Sequence, residues 1–93
     1  MLEFSWDKNK NQLNCAKHKI SFEEAVTVFY DENALLIDDP EHSKKEERFV
    51  LIGLSTQLKV LTVCHCYKED DKTIRIISAR KATTNESKQY NER

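Results

Sequence analysis

The apolar and polar positions alternate from the first residues. Leu2-Glu-Phe-Ser-Trp6 predicts a short strand with Leu2, Phe4 and Trp6 on the core face. Asp7 then stands as a helix N-cap, and Lys8 to His18 predicts a mostly polar helix whose narrow stripe runs through Leu13, Ala16 and Lys17. Ser21-Phe-Glu-Glu24 is a capping box opening a second helix, and Phe22, Ala25, Val26 and Phe29 give that helix one apolar face. Ala34 to Ile37 reads as a strand ended by Asp38-Asp-Pro-Glu, with a loop over His42 to Lys45. Glu47 to Leu54 and Leu58 to Cys66 read as two strands joined by a hairpin loop at Ser55 to Gln57. Thr73 to Arg80 forms the last strand, after which Thr83 or Thr84 caps a third helix with Glu86 in its first turn. The expected fold is therefore α+β: a largely antiparallel meander with two N-terminal helices and a C-terminal helix.

A chain of 93 residues supports a single domain, taken as residues 1–93, with a modest core. The start of the chain has no long apolar run and no stretch is long enough to cross a membrane, so a cytoplasmic protein is expected. Three cysteines without a disulfide-rich spacing suit a reducing compartment, and no disulfide is expected. With 15 basic and 16 acidic residues the net charge is −1, so nucleic-acid binding would need a local patch. A Gly-rich phosphate loop is excluded, because the chain has one glycine.

Cys64-His65-Cys66 invites a metal reading, yet in a strand the histidine points away from both thiols, and no metal or other cofactor is expected. His65 reads either as a structural histidine or as the proton carrier of a pair with an arginine on a neighbouring strand. Alternation without a bulge puts Arg75 and Arg80 on opposite faces of the last strand, so at most one arginine shares the face of His65. Arg80, at the strand end, is the candidate phosphate ligand, and Arg75 is given a structural or partner-binding role. Lys17 and His18 close the first helix, where cations complement its dipole. Glu46-Glu47-Arg48 reads as surface ion pairs or as a general base beside a phosphate ligand.

Phe4-Ser-Trp6-Asp7 with Lys10, Asn14, Lys17-His18, Ile20-Ser-Phe-Glu-Glu-Ala25, Asp39-Pro, His42-Ser, Glu46-Glu-Arg48, and Arg75-Ile-Ile-Ser-Ala-Arg-Lys-Ala82 with Glu86 and Tyr90 together resemble the BrnT family of bacterial type II toxins. The resemblance implies a RelE-like fold and a ribonuclease that arrests translation. It further implies a cognate BrnA-type ribbon-helix-helix antitoxin, with operator DNA reached only through that partner. The RNA substrate is either free or on the ribosome. His65, Arg80, Arg48, Lys17, His18 and Tyr90 are then the catalytic candidates: His65 carries a proton, Arg80 and Arg48 hold phosphate, and Tyr90 stacks on a base or acts as an acid. Lys19 follows the Lys-His pair where such toxins commonly have glycine, and Tyr67 and Lys68 stand where many carry arginine. The alternative is a non-catalytic module that pairs with the antitoxin and co-represses DNA.

Overall fold

A computed structural model describes residues 2–44, 46–69 and 72–92. Five strands form one sheet in the order β1-β5-β4-β3-β2: β1 (Glu3–Ser5), β2 (Leu35–Asp38), β3 (Phe49–Leu54), β4 (Val60–Tyr67) and β5 (Thr73–Lys81). β2 to β5 form the expected antiparallel meander. β1 instead pairs in parallel with the start of β5, with Phe4 opposite Ile74, so the sheet is mixed at one edge.

The helices are α1 (Lys8–His18), α2 (Phe22–Thr27) and α3 (Thr84–Glu92), and α2 tightens into a 3-10 turn at Val28–Tyr30. α1 begins where Asp7 Oδ1 accepts from the Asn9 and Lys10 N–H groups at 2.8 and 3.2 Å. It ends at Lys19, which adopts the left-handed conformation (φ 61°) and donates its N–H to Cys15 O. A lysine therefore takes the cap geometry that glycine usually supplies. In α2 the serine half of the capping box is present, with Glu24 N–H donating to Ser21 Oγ at 3.0 Å. The Glu24 carboxylate accepts from Ser55 Oγ at 2.7 Å, tying α2 to the β3–β4 loop. In that loop Leu58, expected as the first residue of a strand, has φ 62° and is exposed.

One sheet face is packed. Leu51, Leu61, Val63, Ile74, Ile76 and Ala79 meet Ile20, Phe22, Ala25 and Val28, and Phe4, Trp6, Val26 and Phe29 seal the margin. The stripe expected on α2 is thus the buried one. The stripe expected on α1 is not: Leu13 is 70% exposed, and the buried residue of α1 is Asn14. Its amide donates to Ile20 O at 2.8 Å and Ala79 O at 2.7 Å, and its Oδ1 accepts from Ala79 N–H at 3.2 Å. β1 covers only Thr73 to Arg75 of β5, so Asn14 serves the backbone of Ala79 as a neighbouring strand would.

The other sheet face is covered in part by α3, which reaches it through Thr62 Oγ1 donating to Glu86 at 3.0 Å. The far end of α3 is fixed by the buried Tyr90, whose hydroxyl donates to Asp31 Oδ2 at 2.6 Å.

Candidate phosphate-binding face

A register shift between Cys64 and His65 leaves Ile77 of β5 without an opposite residue: Cys64 faces Ser78, whereas His65 faces Ile76. One extra residue reverses the alternation of everything on the far side of it. Arg80 lies opposite Thr62 and Arg75 opposite Cys66, and Thr62, Cys64 and Cys66 share a face of β4. Both arginines therefore stand on the outer face. The division expected from unbroken alternation is corrected by the bulge.

His65 is on the inner face and fully buried. Its ring stands edge-on to Phe29 at 4.9 Å and Tyr67 at 5.7 Å, and tilted against Phe49 at 6.0 Å. Nδ1 lies 3.4 Å from Val63 O, and Nε2 has no hydrogen-bond partner among the described residues. Burial pushes the His65 pKa below its ordinary 6.5, so the ring is held neutral. The expected pairing of His65 with a strand arginine is not found, because the sheet separates them.

Arg48 and Arg80 do share one site. They line a cleft of about 280 Å³ on the outer face together with Asp39, Val50, Thr62, Cys64, Ile77 and Ser78. Arg80 forms a two-point fork with Glu86, Nη1 to Oε1 at 2.7 Å and Nη2 to Oε2 at 3.0 Å. Glu86 also accepts from Thr83 N–H at 2.9 Å. The hydrogen bond from Arg80 is the main cause that holds the Glu86 carboxyl down at about 2, with Thr83 and Thr62 adding to it against the opposing effect of burial. The same contact raises the Arg80 pKa further. Arg48 pairs loosely with Glu46 at 3.7 Å, and its buried Nε has no acceptor among the described residues. Burial, and then the charge of Asp39, raise the pKa of the Cys64 thiol. A neutral thiol in the cleft is a poor nucleophile.

Lys17 is exposed and His18 half-buried at the end of α1, beyond the Asn14 anchor on Ala79, the neighbour of Arg80. Tyr90 is outside the cleft lining. Sequence reasoning missed Asp39 and Glu86 as site residues. Both lie in segments of the family resemblance, but no local pattern gives a carboxylate that meets an arginine six residues earlier.

A single mostly antiparallel sheet, packed by helices on one face and carrying a cleft lined by two arginines on the other, defines a small α+β domain with this cleft on one sheet surface. Residues 6–86 match the family described as "Ribonuclease toxin, BrnT, of type II toxin-antitoxin system". The chain belongs to the BrnT family of ribonuclease toxins. The fold is similar to that in the 1.1 Å crystal structure of the Brucella abortus ribonuclease toxin, BrnT, with a TM-score of 0.68 and 23% sequence identity over 90% of this chain and 100% of that one. Among curated proteins, none matches the chain.

Proposed function

We propose that this chain is a metal-independent endoribonuclease that binds the scissile phosphate between Arg48 and Arg80 on the outer sheet face. The observation that carries this reading is the cleft holding two guanidinium groups and the Asp39 carboxylate together. The guanidinium N–H groups not taken up by Glu86 and Glu46 can donate to phosphate oxygens and stabilise the charge that builds on a pentavalent phosphorus. Asp39 takes the proton of the ribose 2′-OH, O2′ forms a bond to phosphorus, and the bond to the 5′ oxygen breaks. The departing oxygen takes a proton from water, and the hydroxide so formed takes up the proton held by Asp39, leaving a 2′,3′-cyclic phosphate, a 5′-hydroxyl and the carboxylate restored. The two guanidinium groups are placed to supply the positive charge that a metal would otherwise supply. Lys17 and His18 are assigned to the RNA margin of the site. His65 and Tyr90, one inside the core and the other bonded to Asp31, are assigned to the fold.

The same reading places the chain in the RelE-like class and in the cytoplasm. It gives the chain a BrnA-type ribbon-helix-helix antitoxin that covers the outer face and represses the operon with it. A second reading, a non-catalytic antitoxin partner, is favoured by one observation: Glu86, Glu46 and Asp39 offset much of the arginine charge. Incubating antitoxin-free protein with total RNA, with and without EDTA, separates the two. Ribonuclease action gives 5′-hydroxyl fragments in both arms. Intact RNA in both arms supports the second reading, and cleavage abolished by EDTA overturns metal independence.

A further inference from the structure

The bulge at Ile77 has a second effect at the other end of β5. Arg75, opposite both Cys66 and Ser5, is on the same outer face as Arg80. Lys68 follows β4 on that face by alternation, and its N–H donates to Thr73 O at 2.9 Å. Ser5, Trp6, Asp7, Lys68 and Arg75 line a separate hollow of about 300 Å³. Arg80 and Arg48 are each matched to a carboxylate, whereas among the described residues neither Arg75 nor Lys68 has an ion pair. The one acid among the described lining residues, Asp7, is engaged in capping α1. Trp6 has one edge against Phe22, at 6.1 Å, and is only half-buried.

Two cations lining one hollow, with no carboxylate ion pair among the described residues and an indole beside them, fit a phosphate and a base of a single-stranded nucleic acid. From the Thr62 row to the Cys66 row, four residues along β4, is roughly 13 Å at about 3.3 Å per residue. A few nucleotides of extended RNA cover that distance.

We propose that Arg75 and Lys68, with Trp6, form a second RNA subsite that holds a nucleotide flanking the one cleaved between Arg48 and Arg80. This rests on the ribonuclease reading of the outer face. The test is fluorescence anisotropy of a single-stranded 2′-O-methyl oligonucleotide of about eight nucleotides, a length within the usual range of such sites, because blocking O2′ lets binding be read without cleavage. Replacing Lys68 by Ala and Arg75 by Gln together should weaken binding about tenfold and flatten the log–log salt slope by roughly 0.7 per cation removed. On cleavable RNA, KM should rise with kcat unchanged. Lys68→Ala alone, at an exposed position, should give about half of the slope change. Parent-like affinity and slope in both variants overturn the subsite while leaving the ribonuclease reading intact. If the parent itself fails to bind the oligonucleotide, both fall together.

Discussion

The two faces of β4 solve the same problem in opposite ways. Inward, Leu61, Val63 and His65 are fully buried under α2 and its 3-10 extension. Outward, Thr62, Cys64 and Cys66 stand beside Arg80, Ser78 and Arg75. Each face carries a titratable group. The imidazole inside tolerates burial by staying neutral, since its pKa lies close enough to neutrality for desolvation to remove the proton. A guanidinium has no such option and recruits Glu86. Of these two groups, the one that keeps its charge is therefore on the outer face, which α3 covers in part.

The sharpest test of that contrast is Arg80→Ala. Losing a donor aimed at developing phosphate charge is expected to cut RNA cleavage on the order of 100- to 1000-fold. The variant should relieve growth arrest when produced without antitoxin, while circular dichroism stays that of the parent. If the folded variant arrests growth as strongly as the parent, the cleft is not the catalytic site.

On the inner face the corresponding break is Gly53→Val. A Cβ at Gly53 would lie 2.8 Å from Val28 Cγ1 and 3.0 Å from Ala34 Cβ, so the larger side chain has no room. Overpacking of this kind costs about 2–3 kcal/mol, which for a domain of this size lowers Tm by roughly 10–20 °C. Thermal unfolding checks it, and an unchanged Tm would show that the sheet and the 3-10 turn are not tightly apposed there.

Glu86→Gln is expected to act on both stability and site geometry. Its carboxyl, at about 2 in the fold against 4.5 unfolded, contributes stability that is complete above the unfolded value and is lost as pH falls through the folded one. Because Arg80 is 40% exposed, solvent screening reduces that contribution to about 1–2 kcal/mol. The variant should be less stable at neutral pH but match the parent near pH 2 in urea titrations. Cleavage should fall less than in Arg80→Ala, since the guanidinium remains but loses its anchor.

What the sequence disclosed follows the inner face. The α2 stripe and the meander were legible because burial imposes a period on apolar residues. The Ile77 bulge was not, since an inserted residue leaves no mark on composition, and it decided which arginines share a surface. Asn14 was not recognised as the inward residue of α1 because its value is in pairing with the backbone of Ala79 rather than in hydrophobicity. The parallel β1 edge also escaped, because three residues carry no signal of their partner. Of the candidate site residues, Arg48 and Arg80 come together in one cleft, and the carboxylates facing them became visible only through tertiary structure.

The smallest expected effect is the most discriminating. His65→Leu fills an aromatic-lined space with an apolar side chain and removes an imidazole nitrogen that has no partner among the described residues. At pH 7 stability should be equal to or slightly above that of the parent. The difference should appear on acidification. With the folded pKa below 6.5, the unfolded chain binds more protons, so the parent loses stability as pH falls below that value, by at most about 1.4 kcal/mol per pH unit. The variant should show a flatter profile as pH falls below about 6.5. RNA cleavage should survive, because the ring and Arg80 are on opposite faces of the sheet. A well-folded His65→Leu protein that cleaves nothing would return His65 to the role of proton carrier, and would require the inner face to open during the reaction.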